Sequence, residues 1–234
     1  MDQIPYYIEH SISYENGDYD TYIWSDLELT FLEWFEHLRS LFNFVEYRFR
    51  VSTTGAEIFD TVVIRNLLPE WTHVKIEDAA IDYAYKIFEQ FAASTKNFET
   101  GNISRDLKVP QKLSIQNYDS IWIYKPFSLD DALISNASEM TLSKFTISDT
   151  NRFIRSWMKL SNPRLKKAVV YPKEDMDNVK LWKGIQHLVL PENMEREWDG
   201  GENIEGGIDI RNKKGTLATL TISLYSTINM YVWS

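Results

Sequence analysis

The stretch that decides the fold reads YDSIWI over residues 118–123, and ASEMTL repeats its pattern over residues 137–142. In both stretches the first apolar residue is followed by a second three positions later and by a third five positions later. The last two apolar residues are two positions apart, so in a strand they point to the same face of a sheet. The pattern therefore predicts short strands with one buried face.

The same pattern recurs along the chain, which indicates a repeated unit. Measured at the last residue of each copy, the copies lie 19 to 28 residues apart, close to the spacing of leucine-rich-type repeats. The copies are Phe44/Tyr47/Phe49, Trp71/Val74/Ile76, Ala93/Lys96/Phe98, Tyr118/Ile121/Ile123, Ala137/Met140/Leu142, Leu165/Ala168/Val170 and Ile185/Leu188/Leu190. Because 44% of the residues are hydrophobic, such a pattern also arises by chance, and the prediction depends on the segments between the copies.

Helix signals lie in those intervening segments. They are capping residues followed by apolar residues at helical spacing, and prolines at the ends. Helices are predicted over residues 31–42 after Thr30, over Glu57–Leu68 before Pro69, over Ala79–Ala92, over residues 129–135 after Ser128, and from the cap Ser148 through Leu160. The fold class predicted is α/β, a leucine-rich-repeat-like stack of short parallel strands and helices.

The pattern changes after Leu190. Residues Ile208–Arg211 and Thr216–Tyr225 alternate as strands around the turn Asn212–Gly215, which is typical of a β-hairpin. Because the last strand of a stack would leave an open edge, we expect this C-terminal antiparallel β-hairpin to cap the stack beside the copy that ends at Leu190.

Composition excludes several classes of function. The 234 residues include no cysteine, which excludes disulfides, thiolate metal sites and cysteine nucleophiles. The first ten residues, MDQIPYYIEH, show no secretory signal, and the uncharged residues 217–234 alternate as a strand does. We therefore expect a soluble intracellular protein, cytoplasmic or nuclear, with no membrane partner. The net charge of −9 also argues against a nucleic-acid partner.

The charge is distributed unevenly. Residues 1–38 contain nine acidic residues and no Lys or Arg, whereas residues 144–183 are rich in Lys and Arg. One interpretation is a positive patch for an acidic partner. The other, which we favour, is two solvated faces of opposite sign.

The sequence lacks the common catalytic and metal-binding motifs. The chain contains no G-x-S-x-G, no H-E-x-x-H and no phosphate-binding loop. Glu33 and His37 have the spacing of two metal ligands on a helix, but no third ligand is evident. We therefore predict no catalytic residue, no metal and no cofactor. The competing hypothesis is a hydrolase with dispersed carboxylates, which would hold two or more acids of perturbed pKa in one deep pocket.

A partner-binding surface is predicted on the other side of the strands. The residue between the last two apolar positions of each copy faces away from the core. These residues are Arg48, Lys75, Asn97, Trp122, Thr141, Val169 and Val189. Because aromatic and Arg side chains dominate interfaces, we expect Arg48, Lys75, Trp122 and Thr141 to bind the partner. The alternative is that neighbouring segments cover this face.

Residues 127–170 carry a family resemblance. They read FSLDDALISNASEMTL, then TISDTNRFIRSW, then SNPRLKKAVV. This segment resembles the nematode F-box-associated domain, type 2, and the similarity extends over roughly residues 24–225. The residues on the family signature are Asp149, Asn151, Phe153, Trp157, Ser161, Asn162, Pro163, Arg164 and Leu165.

The resemblance implies a non-catalytic protein-interaction module, similar to the substrate-recognition domain of an F-box ubiquitin-ligase receptor. It implies a protein target and, if an F-box is supplied elsewhere, a cullin-type ubiquitin ligase as partners. Residues 1–25 form an acidic, Tyr-rich segment in which no F-box is predicted, and residues 26–234 are expected to form a single domain. The alternative is an interaction or structural protein unrelated to ubiquitin.

Overall fold

The computed structural model of the protein describes residues 8–13, 19–24, 33, 40, 48–51, 61–67, 71–77, 81–101, 114–124, 128–199, 201–223 and 226–233. Strands β1 (Ile8–Ser13) and β2 (Tyr19–Trp24) pair antiparallel as a separate two-stranded sheet. The predicted helix over residues 31–42 lies outside the described residues, apart from Glu33 and Ser40, which are helical.

Most of the described chain is built on one ten-stranded mixed sheet, which confirms the predicted α/β class. Six parallel strands lie side by side in chain order: β3 (Arg48–Val51), β4 (Trp71–Ile76), β5 (Thr95–Thr100), β6 (Ser120–Ile123), β7 (Glu139–Phe145) and β8 (Lys167–Pro172). The described helices are α1 (Thr61–Leu67), α2 (Ile81–Phe91), α3 (Leu129–Ile134), α4 (Ile147–Met158) and α5 (Asn178–Leu181), and a 3₁₀ turn, Ala92–Ser94, follows α2.

The apolar face of the parallel strands and the inner faces of the helices form the core. Sequential parallel strands joined by right-handed crossovers place their helices on one side of the sheet. Phe88 and Phe91 of α2 and Phe153 and Trp157 of α4 are buried in the same cluster as the apolar strand residues. The described helices that contribute to this cluster therefore lie on one side of the sheet, and the other side is called the opposite side below.

The register of the parallel strands shows two mostly apolar rows. One is Val74–Phe98–Ile121–Met140–Ala168, and the other is Ile76–Thr100–Ile123–Leu142–Val170, which Thr100 interrupts. In β3, Phe49 pairs with Val74 and Val51 pairs with Ile76. The sequence pattern aligned Phe49 and Phe98 with Ile76. In the structure both residues pair with Val74, so the predicted register is wrong by two residues. A shift of two keeps every side chain on its face, so the pattern identified the buried face correctly and the register incorrectly.

Beyond β8 the sheet becomes antiparallel. Strands β14 (Ile228–Val232), β13 (Leu217–Ile222), β12 (Ile208–Arg211) and β9 (Leu188–Val189) follow β8 in that spatial order. Strands β10 (Glu195–Trp198) and β11 (Glu202–Glu205) form a separate hairpin.

The copy that ends at Leu190 was predicted to lie next to β8, and this is wrong. Strand β14 takes that place, pairing Ile228 with Val170 and Met230 with Ala168, whereas β9 pairs antiparallel with β12 at the far edge. β14 pairs four residues with β8 and continues both apolar rows, but β9 has only two residues. The longer and better matched strand therefore occupies the edge of β8.

The cap of α4 also differs from the prediction. The helix begins at Ile147 and its cap is Thr146, not Ser148. Thr146 Oγ1 accepts a hydrogen bond from the Asp149 backbone N–H at 2.9 Å and donates one to Asp149 Oδ2 at 2.7 Å. The acidic residue three positions after Thr146 allows this reciprocal pair. The predicted cap Ser128 of α3 is confirmed, since it accepts from the Asp131 N–H at 3.1 Å. None of the described helices is long and apolar enough to cross a membrane.

Gly207 provides a test of packing at the junction of β11 and β12. Its φ is +104°, and a Cβ there would lie 2.8 Å from the Leu220 carbonyl oxygen and 2.9 Å from Thr219 Cγ2. Gly215 also has a positive φ, of +84°, but a Cβ there would have no atom within 4 Å. We expect Gly207→Ala to lower the free energy of unfolding by about 1–3 kcal/mol more than Gly215→Ala, because only the former is overpacked. Chemical denaturation of both variants measures this difference, and equal losses would contradict the close approach.

Candidate protein-binding face

The side of the parallel strands opposite the helices carries two rows of side chains, which we call the open face. The first row is Arg50–Lys75–Glu99–Trp122–Thr141–Val169, and the second is His73–Asn97–Ser120–Glu139–Lys167, with Arg48 at the register position that pairs with His73. Each row alternates along the strands with the buried apolar rows. The open face is therefore produced by the same alternation that produces the core.

The structure brings together three of the four predicted partner-binding residues. Lys75, Trp122 and Thr141 lie in the first row. Arg48 pairs with His73 in the second row, and Arg50 occupies the place beside Lys75. The sequence pattern therefore placed Arg48 beside Lys75, where the structure places Arg50, two positions later in the chain. The pattern does not specify the register of β3. The side chain of Arg48 is outside the described part of the chain.

Three further residues, Asn97, Val169 and Val189, were predicted to face outward on this side, and Asn97 does so in the second row. Val169 does so, in the first row. Val189 does not, since its pairing with Ile208 places it in the row of Leu220 and Ala168, on the helix side of the sheet. The reversal follows from the register of β9 with β12, because directly paired residues share one face of a sheet.

Ion pairs neutralise one end of the open face. Lys75 Nζ lies 2.9 Å from Glu77 Oε1 and 2.7 Å from Glu99 Oε1, and the Arg50 guanidinium lies 2.5 Å from Glu77 Oε2. Hydrogen bonds to Glu99 and Glu77 raise the pKa of Lys75, and hydrogen bonds from Lys75 and Arg50 lower the pKa of Glu77. Lys75 thus remains charged through the physiological range. His73 Nε2 adds a contact of 3.5 Å with Glu99 Oε2.

Aromatic rings occupy the middle of the open face. Trp122 is 37% exposed and stacks on Tyr124, with ring centroids 5.4 Å apart and an angle of 14° between the planes. Tyr171 on β8 is also exposed. Thr141 and Ser143 of β7 lie between these rings. Exposed aromatic residues surrounded by polar groups are typical of interface anchors.

The antiparallel part of this side is covered by the hairpin of β10 and β11. Trp198 and Ile204 of the hairpin pack on Tyr231 of β14. Lys167 Nζ lies 2.5 Å from Glu202 Oε2 and within 5.5 Å of the Trp198 ring centroid. The alternative prediction, that neighbouring segments cover the face, thus applies over β14, while Trp122, Tyr124 and Tyr171 stay exposed.

A second set of contacts holds the same hairpin in place. Arg196 binds Asp209 through both terminal nitrogens, at 2.8 and 3.2 Å, and donates to Thr219 Oγ1 at 2.6 Å. Its guanidinium also lies 4.8 Å from the Trp233 ring centroid. A bidentate ion pair of this kind fixes orientation as well as position.

The signature residues of the resemblance lie in the scaffold. Phe153, Trp157 and Leu165 are buried in the main core. Asn151 Nδ2 donates to the carbonyls of Leu181 and Lys183 at 2.7 and 2.9 Å, at the end of α5. These residues hold the helices against one another, so the signature marks how the domain is built.

Several cations of the basic stretch 144–183 form ion pairs at the surface. Arg152 faces Asp149 at 3.7 Å, Lys180 faces Asp177 at 3.4 Å, and Lys166 faces Asp199 at 3.5 Å. Such exposed pairs are characteristic of a solvated surface. The arrangement agrees with the interpretation that we favoured from the sequence.

Comparison with known families supports the resemblance to an F-box-associated domain over part of the chain. Residues 109–170 match the family model described as F-box associated. This segment runs from the connection before β6 through β7 and α4 to β8, and so contains Trp122, Thr141 and the buried signature residues. Comparisons with curated proteins and with solved structures found no match.

Proposed function

We propose that the protein is a non-catalytic interaction module that holds a protein target on its open face, as the substrate-recognition domain of an F-box ubiquitin-ligase receptor would. The observation that carries the proposal is the exposed Trp122–Tyr124 stack in the middle of a face whose opposite side is core. A rigid sheet presents these rings at little cost in conformational entropy. The match of residues 109–170 to the F-box-associated family supports the same role.

The proposed binding residues are Arg48, Lys75, Trp122 and Thr141, to which we add Arg50, Tyr124 and Tyr171 because of their places on the open face. The aromatic residues would be the anchors, and the ion pairs of Arg50, Lys75, Glu77 and Glu99 would form a polar rim. In this proposal residues 26–234 act as a single interaction domain.

The carboxylates support an interaction module over a hydrolase. The acids of lowered pKa among the described residues are Glu77, Asp177 and Glu202, and each belongs to a different ion pair. In Glu202, burial raises the pKa, but hydrogen bonds from Lys167 and Tyr231 outweigh it. A general acid needs a raised pKa at neutral pH. Within the described residues, no group of His, Asp and Glu is arranged to hold a metal.

The ubiquitin-ligase context is the second part of the proposal. In this context the protein would act inside the cell, in the cytoplasm or nucleus, and reach a cullin-type ligase through an F-box on the same or another chain. The alternative, an interaction protein unrelated to ubiquitin, makes a different prediction for purification of the tagged protein from its native cells. Recovery of the F-box adaptor and a cullin supports the ligase context, and a stable partner without them supports the alternative.

Trp122→Ala tests the open face as the binding surface. We expect this substitution to weaken binding of the partner by about 2 kcal/mol or more, as for a central aromatic anchor. The free energy of unfolding should change by no more than about 1 kcal/mol, because Trp122 is 37% exposed and does not belong to the main core cluster. Titration calorimetry with the purified partner and a thermal melt measure the two effects.

The matched control is Val179→Ala, which removes an 84% exposed apolar side chain from α5, away from the open face. We expect it to leave both affinity and stability unchanged. Partner binding that survives Trp122→Ala at full strength would contradict the proposed surface.

A further inference from the structure

The C-terminal end of α4 has a leucine in a left-handed backbone conformation that favours glycine. Leu160 has a φ of +80°, and its N–H donates to the Trp157 carbonyl at 2.8 Å. The Ser161 N–H donates to the Ser156 carbonyl at 3.1 Å. These two hydrogen bonds form a helix end that usually has glycine at the position of Leu160. A leucine there destabilises the fold relative to glycine.

The packing of Leu160 does not explain the absence of glycine. Its side chain is 37% exposed and does not belong to the main core cluster. Asn162, two residues later, donates to the Ser135 carbonyl at 2.8 Å and so joins this end of α4 to the end of α3. Ile134, the last residue of α3, is 45% exposed. Two aliphatic side chains are therefore exposed to solvent at neighbouring helix ends.

Lysines lie at the same end of α4. The Lys213 N–H donates to the Met158 carbonyl at 2.9 Å, so the turn between β12 and β13, with Lys213 and Lys214, lies against the last residue of the helix. Lys159 is the next residue of that chain end, before Leu160. All three lysines are exposed. Within the described part of the chain, none of the three forms an ion pair.

A purely structural explanation accounts for only part of this arrangement. Lysines near the C-terminal end of a helix stabilise its partial negative charge, which explains the positions of Lys159 and Lys213. It does not explain Leu160, which adds no charge and takes an unfavourable backbone conformation. Together the lysines and Leu160 specify an occupant that supplies both negative charges and an apolar side chain.

The charge of the whole chain limits the source of the negative charges. The net charge is −9, so an anionic membrane or a nucleic acid, which extends far beyond these residues, would be repelled by the rest of the protein. Screening limits charge interactions to roughly 8 Å at physiological ionic strength. A short peptide segment interacts mainly with the lysines within that range. A segment of a protein therefore fits better than either extended surface.

We propose that the lysine–leucine patch, defined by Lys159, Leu160, Lys213 and Lys214, binds an acidic segment of a partner protein that carries an apolar residue among its carboxylates. The carboxylates pair with the lysines, and the apolar side chain covers Leu160 and is stabilised by its own burial. The patch lies at the end of α4, on the helix side of the sheet. The inference therefore goes beyond the proposed function of the open face and does not depend on it.

The first test measures binding and stability in the same variant. The probe is a fluorescein-labelled peptide of repeated Glu-Glu-Leu, and its anisotropy is titrated with the full chain. We expect saturable binding that weakens as salt is added, and Leu160→Gly to raise the Kd about tenfold. The same substitution should raise the midpoint of chemical denaturation, because glycine accepts the positive φ. A lowered midpoint would show that Leu160 is needed for packing and would overturn the proposal.

The second test concerns the lysines. The double variant Lys213→Gln with Lys214→Gln should also raise the Kd about tenfold, because it removes two cations that have no acidic partner. Its matched control is Lys166→Gln with Lys180→Gln, which changes the net charge equally but removes cations that already face an acid. We expect the control to leave the Kd unchanged. Equal effects of the two double variants would overturn the proposal.

Comparison probes decide what the patch accepts. A peptide of repeated Glu-Glu-Ser lacks the apolar residue, and one of repeated Ser-Ser-Leu lacks the carboxylates. The proposal is overturned if either binds as tightly as the Glu-Glu-Leu peptide, or if that peptide shows no saturable binding at millimolar concentration. Vesicles of phosphatidylcholine and phosphatidylserine test the membrane. Leu160-dependent binding to these vesicles would identify a membrane-binding surface and overturn the proposal.

Trp122→Ala separates the lysine–leucine patch from the open face. We expect this variant to bind the Glu-Glu-Leu peptide with an unchanged Kd. Weaker binding would place the peptide on the open face and overturn the assignment of the patch. If the peptide does not bind at all, the proposed function is unaffected, because that proposal is tested by the loss of partner binding in Trp122→Ala.

Discussion

Replacing Trp157 by alanine is expected to lower the free energy of unfolding by about 3–5 kcal/mol. Trp157 lies on the inner side of α4, is 2% exposed, and belongs to the core cluster that joins this helix to the sheet. The substitution removes the indole from a closely packed interior that relaxes only in part, so both transfer energy and packing are lost. Denaturant titration and a thermal melt measure the loss.

Trp122→Ala is the matched control for this experiment, because it removes the same side chain from the other side of the same sheet. The two melts together test the division of the sheet into a core side and an open side. A Trp122→Ala variant that unfolds as readily as Trp157→Ala would show that the open face is buried, and the proposed binding surface would not exist.

The second large effect is expected at Asn162, which joins two neighbouring segments of the scaffold. Its side chain is buried, and Nδ2 donates to the carbonyls of Ala132 and Ser135 at 2.7 and 2.8 Å, at the end of α3. Its φ is +51°, a left-handed conformation that Asn tolerates better than most residues. Asn162 therefore provides both a turn and the cap of another helix.

We expect Asn162→Ala to lower the free energy of unfolding by about 3–5 kcal/mol, from two buried carbonyls left without a donor and a residue forced into a left-handed conformation. Asn162→Gly separates the two causes. Glycine accepts the positive φ but cannot donate, so it should recover about 1 kcal/mol of the loss. Equilibrium denaturation of both variants gives the comparison. If both variants have the same free energy of unfolding as the unmodified protein, these hydrogen bonds do not stabilise the fold.

These two residues explain why the family signature was recognisable from the sequence while the full arrangement of side chains across the open face was not. Trp157 fills a place in the core and Asn162 caps a neighbouring helix, and each of these roles requires one residue type at one position. The residues of the signature therefore follow from the packing of the domain. The open face instead uses Trp122, Thr141 and Tyr171, whose neighbours on adjacent strands are distant in the chain. No local pattern contains that information.

The helices show which features can be predicted from residues that are close together in the sequence. Ser128 and the helix after it were predicted correctly, since an N-cap and its first turn are neighbours in sequence. The cap of α4 was placed two residues late, because Thr146 and Ser148 both have a capping side chain and only the contact with Asp149 distinguishes them.

The sequence by itself determined the α/β class, the buried face of the central strands and the burial of Trp157, because alternation and helical spacing specify which side of an element is apolar. Only the tertiary structure decided the register of β3 and β5, the placement of β14 beside β8, and the hairpin that covers one part of the open side. A shift of two residues leaves every side chain on its own face, so a period-two pattern cannot distinguish one register from the next. The strand that pairs with β8 is likewise selected among segments that are far apart in the chain, here β14 and β9. A local periodic pattern cannot predict which of them pairs there.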